Sequence, residues 1–153
     1  MATKILIAYF SHWGHSQNFA EQIQKLTGGD LFEIKTSTDY PEAHDPCSIQ
    51  AHQEQLADFR PELTNHVQNM AQYTTVLIGH PIWWYREPMV IRSFWEAYNF
   101  TDKKVIPFAT SGDVALPILR KIPRIGFLTR MLSLVSVLKH MLLKTMFLKL
   151  KNG

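Results

Sequence analysis

Residues 4–23 read KILIAYFSHWGHSQNFAEQI and predict a strand, a loop and a helix in that order. Residues 4–10 form a continuous apolar run rich in β-branched and aromatic side chains, which is typical of a parallel strand covered on both faces. Serine and glycine interrupt this run at residues 11–16. Apolar residues then recur at helical spacing until Gly28 and Gly29, where we expect the helix to end.

The same alternation of strand and helix continues along the chain. Further strands are predicted at residues 31–35, 75–79 and 104–109, and helices at residues 46–59, 67–71 and 87–98. In the helix at 46–59 we expect the large apolar residues Ile49, Leu56 and Phe59 to face the core. Strands that alternate with helices imply right-handed crossovers. The sequence therefore predicts an α/β fold built on a doubly wound parallel sheet.

The composition fits one domain in a reducing compartment. With 153 residues and 46% hydrophobic side chains, the chain is long enough to bury a core of its own. Cys47 is its single cysteine, which excludes an internal disulfide framework. The first ten residues lack the features of a signal peptide. We therefore expect a cytoplasmic protein, and nothing in the sequence points to a nucleic-acid partner.

Charge is distributed unevenly along the chain. Up to Asp113 there are eight Lys and Arg against thirteen Asp and Glu, a net charge of −5, whereas from Val114 onward eight Lys and Arg face no acid, a net charge of +8. So sharp a change of sign marks a boundary or an interaction surface. We divide the chain into a core at residues 1–113 and an atypical basic tail of the same domain at residues 114–153.

Within the tail, residues 127–148 are predicted to form an amphipathic basic helix, because polar residues recur along one helical face. Three placements are open: against the sheet edge as a terminal core helix, against a second subunit in a homodimer, or on an anionic membrane surface. The longest charge-free run of the tail is too short to span a bilayer. The absence of acids also fits a change of coding frame that replaced the native ending.

The loop after the first strand suits a phosphate group. Its candidate binding residues are Ser11, Trp13, Gly14, His15, Ser16 and Gln17. Hydroxyl groups, a glycine that lets backbone N–H groups approach, and a helix N-terminus behind them can hold a dianion without Lys or Arg. The alternative is an ordinary turn in which Ser11 or Ser16 merely caps the helix.

Two further loops follow neighbouring strands and reach the same edge of the sheet, where open α/β sheets bind ligands. Their candidate residues are Pro81, Ile82, Trp83, Trp84 and Tyr85 in one loop, and Thr110, Ser111 and Gly112 in the other. Exposed aromatic rings need a partner, and a planar ligand could stack on one of them, for which we favour Trp84. Alternatively, the rings pack on the following helix or a dimer partner, and the last loop is only a turn.

These motifs together resemble the short-chain flavodoxin family. The resemblance covers about residues 3–113 and rests on KILIAYFSHWGHSQNFAEQI, the DYP turn at 39–41, RPEL at 60–63, IGHPIWWYREPM at 78–89 and VIPFATSG at 105–112. It implies a flavodoxin-like, three-layer αβα fold with strand order 2-1-3-4-5 and non-covalent FMN. The phosphate would lie at residues 11–17 and the flavin ring at residues 81–85 and 110–112.

The sequence also departs from the family. Trp13 stands where the family usually has threonine, His15 where it usually has asparagine, and Asp113 where glycine is common. The tail from Val114 is not expected to form the usual ending of helix, fifth strand and terminal helix. His44, Asp45 and Cys47 could suggest a metal or thiol site, but no second ligand pair stands at a recognised spacing, so we expect no metal.

Three functions remain open. A flavin protein could be a low-potential electron carrier for redox partner proteins, which the net charge of −5 favours because negative charge opposes reduction of the flavin. It could instead be an NAD(P)H-dependent reductase that passes electron pairs to a small acceptor such as a quinone. A flavin-free interaction module that docks through its basic tail is the third possibility.

Overall fold

The computed structural model describes residues 4–111 and forms a parallel sheet with helices on both faces. Its elements are β1 (Ile5–Tyr9), α1 (His15–Thr27), β2 (Asp30–Glu33), α2 (His44–Leu56), a 3₁₀ turn (Met70–Gln72), β3 (Thr75–Pro81), α3 (Met89–Ala97) and β4 (Lys104–Thr110). The strand order is β2-β1-β3-β4, and all neighbouring strands are parallel. This confirms the predicted α/β fold. The question of a fifth strand and the predicted helix at 127–148 lie outside the described residues.

The sheet is covered on both faces because the side chains of its central strands alternate between two apolar layers. On one face Val76 and Ile78 of β3 belong to a buried cluster with Phe94 of α3. On the other face Phe108 of β4 packs against Phe19 of α1, with ring centroids 5.4 Å apart. The continuous apolar runs of the sequence therefore correspond to strands buried between helices.

Close packing between β3 and β4 depends on Gly79. This residue lies opposite Phe108 in the strand register, and the Phe108 ring covers its Cα. A Cβ atom at position 79 would overlap that ring. Since Phe108 also makes an edge-on contact with Phe19, the glycine leaves room for the ring between β3 and α1 and so helps to set the position of this helix.

Helix α1 ends where the sequence predicts. Gly28 adopts a left-handed conformation (φ 69°), and its N–H donates to the Gln24 carbonyl at 2.8 Å, an arrangement that glycine permits without a steric penalty. Helices α1 and α2 have 13 residues each. Within residues 4–111, no helix is long and apolar enough to cross a membrane.

The prediction for the inward face of α2 is wrong. Ile49, Leu56 and Phe59 are 59%, 76% and 48% exposed. The buried positions of the helix are instead Cys47, Ala51 and Glu54. Beneath α2, the small residues Cys47 and Ala51 belong to one buried cluster with the aromatic residues Phe10, Tyr40 and Trp83. The Glu54 carboxylate can be buried because it accepts a hydrogen bond of 2.8 Å from the phenol of Tyr40.

Candidate functional site

The carboxyl ends of β1, β3 and β4 lie at one edge of the sheet, and the loops that follow them surround a cavity of about 1000 Å³. We call this space the larger cavity. It is lined by Ser11, His12, Trp13, Gly14, His15, Ser16, Asn18, Phe19, Gln22, His44, Pro81, Ile82, Trp83, Ala109, Thr110 and Ser111. The arrangement matches the position at which doubly wound sheets bind ligands.

One end of the larger cavity is the N-terminus of α1. Gly14 immediately precedes the helix with φ 86°, a left-handed conformation that strains any other residue. The first helical hydrogen bond runs from Asn18 N–H to the Gly14 carbonyl at 2.9 Å. The N–H groups of the three preceding residues, 15–17, therefore have no acceptor within the helix, and the helix dipole makes this end attractive to an anion.

The alternative interpretation of this loop as a simple serine cap does not hold. Within the described part of the chain, no side chain caps the N-terminus of α1. Ser16 is 1% exposed, and its hydroxyl lies 2.7 Å from the hydroxyl of Thr110 at the end of β4. This hydrogen bond joins the first and last loops of the site across 94 positions of sequence.

An aromatic wall encloses the other end of the larger cavity. Trp83 is 9% exposed and makes edge-on contacts with Phe10, Tyr40 and Trp13 at centroid distances of 5.6, 5.2 and 6.2 Å. Trp13 is held in turn by the stretch before α2, because its indole N–H donates to the Glu42 carbonyl at 3.0 Å. Two indole rings therefore stand in fixed positions beside the cavity.

Trp84 and Tyr85 lie elsewhere. They line a smaller cavity of about 230 Å³ between the loop and α2, which shares Trp13 and Trp83 with the larger one. The indole of Trp84 stacks on His52 of α2 at 4.1 Å with an interplanar angle of 15°. Its N–H donates to the Ser48 carbonyl at 2.8 Å. Trp84, the ring that we favoured for stacking, is therefore engaged with α2.

Residues 83–86 form a tight turn of an unusual kind, which we call the aromatic turn. Trp83 and Arg86 exchange two backbone hydrogen bonds, Trp83 N–H to the Arg86 carbonyl at 2.9 Å and Arg86 N–H to the Trp83 carbonyl at 3.2 Å. The two central residues, Trp84 and Tyr85, have φ values of 49° and 65°. Two-residue turns with positive φ at both positions normally contain glycine or asparagine. Bulky aromatic residues here store conformational strain.

Most of the predicted site residues come together around the larger cavity. Ten of the fourteen line it: Ser11, Trp13, Gly14, His15, Ser16, Pro81, Ile82, Trp83, Thr110 and Ser111. Trp84 and Tyr85 line the smaller cavity, while the side chain of Gln17 is exposed and donates to Glu21 at 3.0 Å. Gly112 lies outside the described residues.

The prediction missed several residues that line the larger cavity. These are Asn18, Phe19, Gln22, His44 and Ala109, and His12, which stands within the predicted loop at residues 11–17, lines it as well. Asn18 and Gln22 could have been found by extending the loop one helical turn, since positions 15, 18 and 22 share a helical face. His44 lies 27 positions after the first loop ends at Gln17 and 37 positions before Pro81, and no signal in the sequence connects it with either loop.

Two residues of the group that we considered for metal or thiol chemistry, His44 and Cys47, line the smaller cavity. Cys47 is buried, and burial, with Glu54 and Glu42 nearby, raises the pKa of its thiol to about 11. His44 and Asp45 form an exposed pair at 2.9 Å. Within residues 4–111 no three metal-ligating side chains group together.

Burial also affects a histidine next to the site. His80 at the end of β3 is 4% exposed, and its Nδ1 lies 2.8 Å from the Pro81 carbonyl. Loss of hydration lowers the pKa of this imidazole to about 4, which keeps it neutral at physiological pH. His80 thus acts as a neutral core residue beneath the cavity.

Comparison with known proteins is consistent with this geometry. A family profile described as Flavodoxin matches residues 4–127. The chain belongs to the flavodoxin family. The matched residues of this flavodoxin include the strand edge and the loops around both cavities, so the family relationship covers the whole candidate site.

Solved structures give the same result. A flavoprotein from Bacteroides uniformis ATCC 8492 is 35% identical to this flavodoxin, with a TM-score of 0.68 over 76% of this chain and 78% of that chain. One from Bacteroides eggerthii DSM 20697 is 33% identical, with a TM-score of 0.68 over 76% of each chain. A flavoprotein from Lactobacillus acidophilus NCFM, solved in complex with FMN, shares the fold at 24% identity, with a TM-score of 0.68 over 76% of this chain and 80% of that chain. The comparison with curated proteins gives no match.

Proposed function

We propose that this flavodoxin binds FMN non-covalently in the larger cavity and transfers electrons through it. The observation that carries the proposal is the combination of a helix N-terminus at one end of the cavity and an aromatic wall at the other. FMN has a phosphate and a planar ring at its two ends. Flavodoxins, the standard example of ligand binding at this kind of sheet edge, hold FMN there.

The phosphate end fits a dianion held by neutral donors. The N–H groups of residues 15–17 have no helical acceptors, and the paired hydroxyls of Ser16 and Thr110 lie beside them. No Lys or Arg lines the larger cavity within the described residues. The helix dipole therefore has to supply most of the favourable electrostatics.

The ring end fits a flat apolar group. Trp83 is the favoured stacking partner, because its indole lines the larger cavity and is fixed by three aromatic neighbours. Trp13 flanks the same space. When bound, FMN supplies the one- and two-electron chemistry, and the side chains orient the ring and keep water from it.

Among flavin functions we propose that of an electron carrier for redox partner proteins. The net charge of −5 in residues 1–113 disfavours the addition of negative charge to the ring and so supports a low reduction potential. A reductase driven by NAD(P)H is the second candidate, and the smaller cavity beside Trp83 supports it as a place for a small acceptor. The buried, single Cys47 is consistent with our proposal of a cytoplasmic location.

Flavin content and reduction kinetics test the proposal. We expect the purified chain to carry one FMN, identified by mass after release, and to react slowly with NADH and NADPH in stopped-flow experiments. Fast reduction of the flavin by either nucleotide would favour the NAD(P)H-dependent reductase over the electron carrier. A colourless protein that takes up no FMN would leave the flavin-free interaction module as the remaining candidate.

A further inference from the structure

We propose that Gln55 of α2 is the positioning residue of the flavin-ring site. Its side-chain amide donates a hydrogen bond of 2.7 Å to the backbone carbonyl of Trp83, the first residue of the aromatic turn. The inference rests on the proposed function. In it, α2, which lies outside the three cofactor loops, fixes the position of the Trp83 ring on which the flavin stacks.

The aromatic turn needs such support because its own sequence disfavours its conformation. Trp84 and Tyr85 have positive φ values, 49° and 65°, and neither is a residue type that adopts this conformation readily. Strained backbone persists only where the surroundings determine it. The two backbone hydrogen bonds between Trp83 and Arg86 close the turn, but they do not connect it to the rest of the protein.

Helix α2 supplies that connection along a single stripe of its surface. Ser48, His52 and Gln55 are spaced by four and three residues, so they lie on the same side of the helix. Ser48 accepts the Trp84 indole N–H through its backbone carbonyl, and His52 stacks on the same indole. Gln55 holds the turn at Trp83 itself. Of these three residues, Gln55 is the one whose side chain donates a hydrogen bond to the backbone of the aromatic turn.

The contact of Gln55 bears on ligand binding through Trp83. The ring of Trp83 lines both cavities, and its carbonyl accepts from both Gln55 and Arg86. Without the amide of Gln55, the aromatic turn can relax toward negative φ, and the indole of Trp83 then leaves the cavity wall. The phosphate end, built from α1 and β4, is held by the hydrogen bond between Ser16 and Thr110 and should stay in place.

The first test compares ligand binding by matched glutamine variants. We expect Gln55→Ala and the isosteric Gln55→Glu, whose carboxylate cannot donate to the Trp83 carbonyl, to weaken FMN binding about five- to tenfold. Gln53→Ala, an exposed glutamine on the same helix, is the control and should bind as the parent chain does. Riboflavin, which lacks the phosphate, should lose affinity by the same factor as FMN. An unchanged affinity of Gln55→Ala, or a loss confined to FMN, would overturn the proposal.

A second test needs no flavin and separates this inference from the proposed function. Tyr85→Gly removes the left-handed penalty at one turn position, so this chain keeps the turn when Gln55 is lost, whereas the parent turn relaxes and recovers part of its strain energy. Gln55→Ala should therefore destabilise the Tyr85→Gly chain more than it destabilises the parent chain. Denaturant unfolding of the four apo-proteins measures this coupling. Additive effects would show that Gln55 does not hold the turn. Coupling in a chain that fails to bind FMN would contradict the proposed function while supporting the link between Gln55 and the turn.

Discussion

The hydroxyls of Ser16 and Thr110 lie 2.7 Å apart at the end of the larger cavity where we propose that the phosphate binds. Both residues are among the predicted site residues, Ser16 in the loop assigned to the phosphate and Thr110 in a loop assigned to the flavin ring. Their contact with each other could not be found in that way, since 94 positions separate them and only the strand register brings them together.

Ser16→Ala should weaken FMN binding by about 1 to 2 kcal/mol, the scale of a hydrogen bond to a charged group. Thr110→Val should have a similar effect. Because the two hydroxyls bond to each other, the double variant should lose less than the sum of the two single variants. Fluorescence titration with FMN measures the affinities, and near-ultraviolet circular dichroism checks the fold. Parental FMN binding by Ser16→Ala would contradict the phosphate assignment.

His80 should make the protein sensitive to acid. Its pKa is about 4 in the folded chain, against about 6.5 when unfolded, so the unfolded chain takes up the proton first as the pH falls. The contribution of His80 to the free energy of unfolding is fully present above about pH 6.5 and is lost as the pH falls toward 4. By pH 5 the loss should reach about 2 kcal/mol.

The measurement is denaturant unfolding at pH 7 and pH 5, with His80→Gln as the control, because glutamine keeps a polar side chain but does not titrate. Other acidic and basic groups affect both proteins alike. A fall in stability that is equally large in the variant would show that His80 is not its source.

The elements of the fold differ in how well the sequence predicts them. Strands β1, β3 and β4 and helices α1 and α3 follow from apolar runs and helical spacing, since the sheet core consists of those residues. The inward face of α2 does not follow from helical spacing, because that pattern selects the largest apolar residues as the buried ones. The helix instead buries Cys47, Ala51 and Glu54 over a layer of aromatic side chains. The residues that α2 buries depend on the aromatic side chains beneath the helix, and these cannot be predicted from the sequence of the helix alone.

The aromatic turn is a second case in which local rules fail. A sequence with Trp and Tyr at its two central positions predicts no turn with positive φ, yet the structure has one because α2 holds it. Strain of this kind commonly marks functional positions. The sequence therefore identifies the aromatic loop as a candidate ring site, but it does not give the conformation of that loop.

At the level of the sheet, Gly79→Ala should destabilise the protein by about 1 to 3 kcal/mol, the usual range for overpacking a core. The added methyl group overlaps the Phe108 ring, which cannot move freely because Phe19 of α1 covers it. Chemical denaturation measures the loss. In a chain that already carries Phe108→Leu, Gly79→Ala should destabilise the protein less than it does in the parent chain. If Gly79→Ala destabilises the protein equally with and without Phe108, overlap with the Phe108 ring is not the cause.

At the scale of the whole molecule, the chain combines an acidic flavodoxin core with a basic tail of net charge +8. The tail stays a prediction, since residues 114–153 lie outside the described part of the structure. An amphipathic helix at 127–148 has to bury its apolar face against the sheet edge, a second subunit or a membrane surface.

Deletion of residues 127–153 should lower the melting temperature and the retention of flavin if the tail covers the core or a subunit interface. Thermal unfolding, flavin content and light scattering before and after deletion provide the measurement. If the full-length chain binds anionic vesicles and the deletion variant does not, the membrane placement gains support. Unchanged solubility, melting temperature and flavin content would exclude both a structural cover and a subunit interface.

The central claim is that the larger cavity binds FMN, and titration of the apo-protein with FMN and FAD tests it most directly. The cavity offers one helix N-terminus for one phosphate, and the sequence has no G-x-G-x-x-G turn for a dinucleotide. We predict binding of one FMN per chain with strong quenching of flavin fluorescence, and weaker binding of FAD. Failure to bind FMN, or an affinity for FAD that equals or exceeds that for FMN, would contradict the account.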